Sequence, residues 1–558
     1  MKQFVIVLIA IISFSSLFVL APSVQFFYSS SGATQEQEVS PIQAKWLVGE
    51  TKEPICPEIV PASWREAHNI ADTVIDASPL CLPDNPYEIA AFAQGTNNIR
   101  MSALMNTRLS SDAVVKTNDR DGDGDPDDIH IRLEVIELNG LAKDGQSLTT
   151  QYAIGPGIKP GFWVFAPKTR GMSTISPEIQ KAQSILRMPS PAIRVEQGDR
   201  VRITLENSHY LPHSLHLHGV DHPFQDENGE GNDGVPMISE AMLLPGESHT
   251  YDITPRHAGT MFYHCHVQPQ SHILMGLNGL FIIEENRPNN FVQTFNIGSG
   301  HVRHRSQAIT EKFDREYDLH YQDVESKLGA IIQNNSTARE VAKQMNRIYK
   351  VHKRQPDYFM LNGKSFPHTI RDALVVVAPD EKIKLRVLNS GAEGISLHLH
   401  GHKPTITHLD GVPLDENAQI TRDVVWLSSS QRADLTLDTT NDGLHSYGDG
   451  VWLAHDHAEK AVTSNGINPG GDVSMVVYEN YLGPTGIPKT AHDISRFFDP
   501  DYYSGKLPIF MYMGPDENIE TTVPSPVWKT YLFFLLLGVF ICSLFLLLKH
   551  ALISKQAN

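Results

Sequence analysis

The amino-acid sequence predicts a mainly β protein with two similar β-sandwich domains, and three observations support this prediction. Residues 129–135 alternate apolar and polar side chains with the period of two expected of a half-buried strand. Short runs of this kind, separated by Gly and Pro, continue along the chain and resume after a charged stretch. The hexapeptide Ser-Leu-His-Leu-His-Gly occurs twice, at 214–219 and 396–401. We therefore predict Greek-key sandwiches at 128–286 and 356–482.

Composition and charge limit the classes of function. The chain has 558 residues and a formal net charge of -18, and this length is enough for about two to four domains. No long block of Lys or Arg occurs, which argues against a nucleic-acid partner. Of the four cysteines, Cys56 and Cys81 are predicted to form a disulfide in an oxidising compartment, the alternative being two unpaired thiols.

Both ends of the chain are hydrophobic. Residues 1–28 contain a long apolar run, which predicts either a signal peptide or an uncleaved N-terminal anchor. Residues 529–549 hold an uncharged apolar segment between two lysines, long enough to span the hydrocarbon of a bilayer as a transmembrane helix. The lysines that follow predict a cytoplasmic tail at 550–558. The bulk of the chain is then expected on the extracytoplasmic side, periplasmic or extracellular.

Three further stretches carry weaker patterns. Residues 29–127 are rich in Ser, Gln and Pro and predict an irregular N-terminal region. Residues 287–355 gain charged and amide side chains, and Thr337 with Glu340 forms a capping box, so we predict a partly helical linker. Residues 483–528 predict a stalk that leads to the membrane segment.

An acidic loop lies at the end of the N-terminal region. Its aspartates alternate at a spacing that supplies oxygen ligands for calcium. They are Asp119, Asp121, Asp123, Asp125 and Asp127. His130 stands where an EF-hand has its bidentate Glu, so the loop is not a standard EF-hand. We predict a shorter type of calcium loop, the alternative being a solvated acidic turn.

The tripeptide His264-Cys265-His266 follows an apolar run and predicts a buried strand that enters a loop. Side chains alternate along a strand, so the two histidines are expected to face one way and the cysteine the other. His213 and His272 can join Cys265 in a set of two imidazoles and one thiolate, the arrangement of blue-copper sites. The alternative is a buried free cysteine between two surface histidines.

The two predicted domains repeat each other in their histidines. Each has one His-x-His pair in the shared hexapeptide and a second pair near its end. The pairs are His216 with His218, His264 with His266, His398 with His400, and His455 with His457. Converging between two domains, these imidazoles can hold three copper ions. Cys265 is matched by Asp456 and His213 by Ile395, so only the first domain keeps a complete set with a cysteine. His209 and other histidines near the motifs are predicted to be polar loop residues or to support the ligands.

Over residues 128–482 these motifs resemble those of the multicopper oxidases. The resemblance rests on the repeated hexapeptide, on His-Cys-His followed by His272, and on the run from Trp452 to His457. It implies cupredoxin-like domains. Because two sandwiches carry the motifs, the nearest likeness is to the two-domain, small laccase-like branch. Members of this branch form head-to-tail trimers, which implies a homotrimer with the cluster between domain 1 of one subunit and domain 2 of the next.

The resemblance also implies the cofactors and their ligands. A type 1 copper is expected on His213, Cys265 and His272, with Met275 or Leu277 at the axial position. Three further copper ions are expected as a trinuclear cluster on the paired histidines, which makes four copper ions per chain. The resemblance implies that electrons pass from Cys265 to the histidines beside it, and that dioxygen is reduced there to two waters.

Asp221 follows the first hexapeptide and is a candidate catalytic proton relay, the alternative being a plain turn aspartate. The reducing substrate is left open among phenols, metal ions and a protein donor. Two other functions compete with the oxidase. One is a copper nitrite reductase-like enzyme, and the other is a membrane-anchored copper-binding or electron-transfer protein. Counting copper separates them, with about four ions per chain for the oxidase and about one or two otherwise.

Overall fold

Strands dominate the described part of the chain. The computed structural model describes residues 68–70, 73–75, 110, 112–122, 126–169, 186–287, 294–296, 298, 300–304, 309–335, 337–484 and 486–506. The strands are, in chain order, β1 (His68–Ile70), β2 (Thr73–Ile75), β3 (Val114–Thr117), β4 (Asp128–Leu138), β5 (Phe162–Pro167), β6 (Ala192–Glu196), β7 (Arg200–Glu206), β8 (His216–His218), β9 (Ser248–Ile253), β10 (Gly259–His264), β11 (Asn278–Glu284), β12 (Phe295–Asn296), β13 (Gly300–His304), β14 (Arg315–Val324), β15 (Tyr358–Leu361), β16 (Val375–Val377), β17 (Lys382–Asn389), β18 (Ile395–Leu399), β19 (Thr405–Leu409), β20 (Val412–Pro413), β21 (Ile420–Thr421), β22 (Val424–Leu427), β23 (Arg432–Asp438), β24 (Val451–Asp456) and β25 (Ser474–Tyr478). β1 and β2 pair with each other, and the other strands form four sheets that we name A to D.

Sheets A and B form the first sandwich. Sheet A has the order β3-β4-β7-β9, with β5 and β3 along the same edge of β4. Sheet B has the order β12-β6-β11-β10-β8. Ile131 and Leu133 of β4 share one apolar core with Tyr263 and Phe281 of sheet B. The alternating pattern at 129–135 therefore buries one face of β4 between the sheets.

Sheets C and D form the second sandwich. Sheet C has the order β13-β14-β17-β23-β19-β20, with β15 beside β14 and β21 beside β19. Sheet D has the order β16-β25-β24-β18-β22. Leu385 of sheet C belongs to the same buried core as Leu397 and Val476 of sheet D. The second sandwich thus encloses an apolar core of its own.

The α-helices in the described residues are short; four lie between strands and the last follows β25. They are α1 (Pro269–His272), α2 (Ser326–Asn334), α3 (Ala338–Lys343), α4 (Thr369–Asp372) and α5 (Pro500–Tyr503). A π-helical turn at Gln344–Ile348 follows α3. The predicted cap of α3 is present, because Thr337 Oγ1 accepts a hydrogen bond from the backbone N–H of Glu340 at 3.3 Å.

The four sheets stack in the order A, B, C, D. Phe262 of sheet B packs against Leu388 of sheet C in a small buried cluster. Beside it, the buried Arg194 of β6 pairs with the buried Asp318 of β14 at 2.6 Å. Removing one member of such a pair leaves a charge unpaired in the interior, which costs about 3–5 kcal/mol. This interface holds the two sandwiches together within one chain.

The structure corrects two predicted boundaries. The predicted linker at 287–355 contains β12, β13 and β14, and β14 is buried along nearly its whole length. The linker prediction is therefore wrong for the strands, although α2 and α3 supply its helical part. The predicted irregular region at 29–127 contributes β3 to sheet A.

Several predictions lie outside the described residues. They are the N-terminal signal peptide or anchor at 1–28, the Cys56–Cys81 disulfide, the membrane segment at 529–549 and the tail at 550–558. Within the ranges that the structure describes, no helix combines the length and the apolar character needed to cross a bilayer. The described part of the predicted stalk ends in α5, whose two tyrosines are buried.

Candidate metal centres

The structure brings Cys265, His213 and His272 together inside the first sandwich, and we name these three residues the cysteine centre. Cys265 Sγ is 3.7 Å from His213 Nδ1 and 3.4 Å from His272 Nδ1. The three side chains are at most 2% exposed. Metal–ligand bonds of about 2.0–2.3 Å leave such donors roughly 3.5 Å apart. These atoms are therefore spaced to share one metal ion.

Backbone hydrogen bonds position the cysteine centre. Cys265 directly follows β10, and its N–H donates to the carbonyl of Leu277 at 3.0 Å. His213 exchanges two backbone hydrogen bonds with Leu243, at 3.1 and 3.0 Å. His272 ends α1, and its carbonyl accepts the N–H of Leu277 at 3.1 Å. Two segments distant in the sequence, one with His213 and one with Cys265 and His272, are thus fixed around one point.

Burial sets the protonation of the cysteine centre. It raises the pKa of the Cys265 thiol to about 12, lowers the pKa of His272 to about 3 and holds the pKa of His213 well below its usual value. Both imidazoles are neutral near pH 7 and offer lone pairs, whereas the thiol needs a bound cation to ionise. One thiolate with two neutral imidazoles is a donor set for copper or zinc, so the residues fit a copper ion.

Four imidazoles meet on β8, β10 and the residues that follow β10, and we name them the first half-site. His216 lies opposite His264 in the antiparallel pairing. His218 Nε2 is 3.0 Å from His264 Nε2, and the His266 ring stacks on the His264 ring with centroids 5.7 Å apart. Cys265 lies between His264 and His266 in the sequence, but its sulfur faces His213 and His272 instead. The alternation predicted for the tripeptide is therefore present.

The second half-site repeats this arrangement on β18 and β24 of sheet D. His398 lies opposite His455, as His216 lies opposite His264. His400 Nε2 is 3.2 Å from His455 Nε2. The ring of His457 lies 5.5 Å from that of His455. Each predicted His-x-His pair thus contacts the other pair of its own sandwich.

Hydrogen bonds to Nδ1 leave the Nε2 lone pair of three of these imidazoles available to a metal ion. Carbonyl oxygens lie next to Nδ1 of His216 at 2.6 Å, of His264 at 3.0 Å and of His455 at 2.9 Å. A carbonyl can only accept, so each Nδ1 carries the proton and each Nε2 keeps its lone pair. Burial lowers the pKa of His218 to about 4 and that of His264 to about 3, so these rings are neutral near pH 7. The half-sites fit copper ions.

The two half-sites of one chain lie in different layers. The first belongs to sheet B and the second to sheet D, and sheet C lies between them. Stacked sheets are about 10 Å apart, so roughly 20 Å separates the two layers. Within one chain, the four imidazoles of the first half-site therefore do not meet the four imidazoles of the second.

Comparison with protein families gives a match over part of the first sandwich. Residues 169–288 match the family model described as Multicopper oxidase. This range contains the cysteine centre and the whole first half-site. This part of the chain is therefore similar to the multicopper oxidases.

Curated multicopper oxidases match this chain over part of their length. An iron transport multicopper oxidase of Gibberella zeae is 26% identical over 324 residues, which are 52% of this chain and 44% of the relative. The iron transport multicopper oxidase of Saccharomyces cerevisiae is 25% identical over 261 residues, 46% of this chain and 34% of the relative. The chain thus spans less than half the length of these relatives.

Solved structures of similar proteins include a blue copper oxidase from Nitrosomonas europaea. It is 25% identical, with a TM-score of 0.46, and the match covers 67% of this chain and 94% of that one. A multicopper oxidase described as functioning in iron import is 18% identical, with a TM-score of 0.43, and the match covers 66% of this chain and 56% of that one.

Sequence reasoning missed Trp163, which lies against the cysteine centre, and Glu137, which is hydrogen-bonded to Trp163. The buried Trp163 ring meets the rings of His209, His213 and His272 edge-on, with centroids 4.9, 6.0 and 5.1 Å away. Its Nε1 donates to Glu137 Oε2 at 3.1 Å. Trp163 and Glu137 lie on β5 and β4, far from the motifs in sequence. No local pattern signals them, because only the pairing of strands brings them to the site.

Asp221, the predicted proton relay, forms an ion pair with Arg256. Its Oδ2 is 2.7 Å from Arg256 Nε, and both side chains are partly exposed. A carboxylate paired in this way is held by the arginine. The relay role of Asp221 stays a prediction.

The two candidates for the axial position are both buried beside the cysteine centre. Leu277 pairs with Cys265 across β10 and β11, because His264 lies opposite Asn278 in the register. Residues directly opposite in an antiparallel pair share one face of the sheet. Met275 follows α1, and its N–H donates to the carbonyl of Ser271. The assignment between Met275 and Leu277 stays a prediction.

The acidic loop brings three of its five aspartates together. Carboxylate oxygens of Asp119, Asp121 and Asp127 lie within 4.8 Å of one another. Burial, aided by the neighbouring aspartates, raises the pKa of Asp127 to about 6. Asp123 and Asp125 lie outside the described residues. Calcium binding stays a prediction.

Proposed function

We propose that the protein is a copper-dependent oxidase that couples one-electron oxidation of a donor to four-electron reduction of dioxygen to water. The observation that carries the proposal is the tripeptide His264-Cys265-His266, which joins the buried cysteine centre to the first half-site within three residues. Bound copper supplies the one-electron chemistry at the cysteine centre and the reduction of dioxygen at the paired imidazoles.

The chain's own residues hold and insulate these ions. We assign His213, Cys265 and His272 to a type 1 copper, in a site from which burial excludes water. The backbone carbonyl of Cys265 accepts a hydrogen bond from His264 Nδ1 at 3.0 Å. This bond and the peptide link between the two residues supply a short connection between the centres.

We assign the eight histidines of the half-sites to a trinuclear cluster, which requires a second copy of the chain. A first half-site can meet a second half-site only from another subunit, because sheet C separates the two within one chain. Repetition of this contact is heterologous and closes as a ring, and we propose a head-to-tail homotrimer.

Exposed apolar side chains near each half-site support the contact between copies. Trp426, on the edge strand β22 of sheet D, is 62% exposed, and Val424 lies opposite His398 in the strand pairing. The chain between β8, which carries His216 and His218, and β9 exposes Phe224 and Ile238, the latter at 71%. Clustered exposed apolar residues mark interaction surfaces on soluble proteins.

Co-expression of two inactive variants tests the assembly. His264→Ala breaks the first half-site and His455→Ala breaks the second, so each variant alone is expected to lose oxygen uptake. In mixed rings with random order, about a quarter of the contacts unite two intact half-sites. We expect recovery of roughly that fraction of wild-type oxygen uptake. Co-expression of His264→Ala with His266→Ala is the control, because both break the same half-site. Equal inactivity of the two mixtures would contradict assembly between copies.

The donor and the cellular location extend the proposal. The names of the relatives, iron transport multicopper oxidases, favour a metal-ion donor over a phenol or a protein. We propose that the enzyme works on the extracytoplasmic side and is anchored by residues 529–549. Oxygen uptake measured with ferrous ion, manganous ion and a panel of phenols decides among the donors. Turnover on phenols alone would contradict the metal-ion assignment.

Copper content decides between the oxidase and its alternatives. We expect about four copper ions per chain and thiolate-to-copper absorption in the visible range. About two ions per chain, with nitrite consumption and no oxygen uptake, would instead indicate a nitrite reductase-like enzyme.

A further inference from the structure

The outer nitrogen of His213 contacts another imidazole. His213 Nδ1 faces the sulfur of Cys265 at 3.7 Å, and His213 Nε2 lies 2.8 Å from His209 Nδ1. His209 is 5% exposed and its ring lies 5.0 Å from that of His213. At 2.8 Å one of these two nitrogens carries the shared proton.

A carboxylate lies at the far end of His209. His209 Nε2 is 3.7 Å from Glu137 Oε2 and has no hydrogen-bond partner within 3.5 Å among the described residues. The same Oε2 atom accepts hydrogen bonds from Tyr210 Oη at 2.5 Å and from Trp163 Nε1 at 3.1 Å. The Tyr210 ring covers His209, with ring centroids 4.0 Å apart. Glu137, His209 and His213 therefore form a line that ends at Cys265.

The Glu137 carboxylate determines which nitrogen of His209 and of His213 carries the proton. An ionised carboxylate only accepts, so the neutral His209 turns its N–H toward Glu137 and keeps its lone pair on Nδ1. That lone pair accepts the N–H on Nε2 of His213. A neutral imidazole carries one N–H, so His213 Nδ1 is left with the lone pair that faces Cys265. If both histidines adopted the other tautomer, His213 Nδ1 would carry a proton and point an N–H at Cys265.

We propose that Glu137 and His209 are positioning residues for His213, which fix its metal-binding tautomer and increase its basicity as a ligand. The inference rests on the proposed function in one respect, since it takes His213 to be a copper ligand. Partners of this kind change metal affinity or activity by about 10–100-fold when removed. A more basic His213 favours the more highly charged, oxidised ion. Glu137 therefore lowers the reduction potential of the type 1 copper, and Tyr210 weakens this effect because its hydroxyl shares the same carboxylate oxygen.

Reduction potentials of variants test the charge of Glu137. Glu137→Gln keeps the size of the side chain and removes its charge. His209→Gln keeps an acceptor for His213 and breaks the link to Glu137. We expect both variants to raise the potential, so that the ratio of oxidised to reduced protein at a fixed poise falls about tenfold, or ~59 mV for a one-electron couple. Tyr210→Phe keeps the covering ring and is expected to shift the potential the other way, by less. A packing effect alone does not predict opposite signs.

Nitrogen NMR of the metal-free full chain supplies a second measurement, because a metal ion on Nδ1 would itself hold the proton of His213 on Nε2. In the wild type we expect the proton of His213 on Nε2, and in His209→Ala we expect mixed tautomers. Unchanged potentials in Glu137→Gln and His209→Gln, with thiolate-to-copper absorption intact, would overturn the inference. Absence of that absorption in the copper-loaded wild type would instead overturn the proposed type 1 site, so the two failures are distinguishable.

Discussion

The two sandwiches carry different chemistry at one and the same position. In the first, Cys265 follows His264 at the end of β10, and its sulfur contacts two imidazoles. In the second, Asp456 follows His455 at the end of β24. Its carboxylate accepts backbone hydrogen bonds from Ser396 at 2.8 Å and from Ala458 at 3.0 Å. The strands that carry these residues pair alike, so the backbone does not account for the difference.

The difference lies in what satisfies the buried group. Two amide donors satisfy the Asp456 carboxylate and tie β18 to the chain after β24, which makes it a structural residue. The Cys265 thiol faces imidazole lone pairs, and only a cation lets it ionise there. A metal centre thus depends on Cys265 together with His213 and His272, whereas the half-sites are common to both sandwiches.

Exchange of the two residues for near-isosteres is the sharpest test of this comparison. Cys265→Ser replaces the soft thiolate by a poor copper ligand, and we expect loss of visible absorption, about one copper ion fewer per chain and oxygen uptake at background. Asp456→Asn keeps an acceptor oxygen for both amides and is expected to keep absorption and copper content. Visible absorption in Cys265→Ser, or its loss in Asp456→Asn, would contradict the distinction.

The half-sites could be predicted from the sequence because a strand has a strict side-chain period. His-x-His places two imidazoles on one face whatever the surroundings, and repetition of Ser-Leu-His-Leu-His-Gly marks the two copies. The grouping of His213, Cys265 and His272 also agrees with the prediction. Glu137 and Trp163 could not be found in this way, since the contact of Trp163 with the centre and that of Glu137 with Trp163 depend on which strands become neighbours.

The prediction that residues 287–355 form a linker is wrong for β14, because it rests on composition. The sequence of β14 is rich in charged and amide side chains, yet nearly all of it is buried. Glu316 and Asp318 of this strand pair with Arg386 and Arg194, which come from β17 and from the other sandwich. A charge is buried when its partner is supplied by another segment, and a single stretch of sequence does not reveal that partner.

The axial position offers the next largest expected effect. Leu277 lies opposite Cys265 across the strand pair, so we expect Leu277 rather than Met275 to face the copper. Leu277→Met adds a thioether that stabilises the oxidised ion, and we expect a lower reduction potential, by roughly 59 mV for a tenfold change in the equilibrium. Met275→Leu is the matched control and is expected to change the potential less. A larger shift in Met275→Leu would reverse the assignment.

A buried aspartate in the second sandwich predicts a stability effect that depends on pH. Burial and the nearby Asp456 raise the pKa of Asp472 well above its usual value. A raised pKa adds stability that is fully present below the unfolded pKa and is lost as the pH rises through the folded pKa. Asp472→Asn cannot ionise, so we expect it to melt at a higher temperature than the wild type at neutral pH and at a similar temperature below about pH 4.

Thermal melting across pH measures this difference. Asp415→Asn on the surface is the control, because Asp415 is exposed. A melting-temperature difference between Asp472→Asn and the wild type that does not change with pH would contradict a buried, ionising Asp472. The first sandwich lacks a counterpart of this pair of carboxylates, because Cys265 occupies the place of Asp456.

The smallest expected effect concerns the acidic loop next to β4 of the first sandwich, where we propose a calcium ion on Asp119, Asp121 and Asp127. Extracellular calcium loops have a Kd of about 10⁻⁴–10⁻³ M. Calcium at 10 mM is then expected to add about 1.4–2.7 kcal/mol to the free energy of unfolding. Burial raises the pKa of Asp127 to about 6, so this gain should be larger at pH 7 than at pH 5, where the carboxyl is mostly protonated.

Calorimetry with calcium and with a chelator measures the gain, and two variants localise it. Asp127→Asn should abolish the calcium-dependent rise in melting temperature, whereas Asp144→Asn, in an exposed turn of the same sandwich, should keep it. Without calcium, the effect of Asp127→Asn on the free energy of unfolding is expected to have the opposite sign. The raised pKa of Asp127 means that stability falls as the pH rises through about 6, so Asp127→Asn should be the more stable protein in chelator at pH 7. Equal melting temperatures with calcium and with chelator in the wild type would leave the loop an acidic turn.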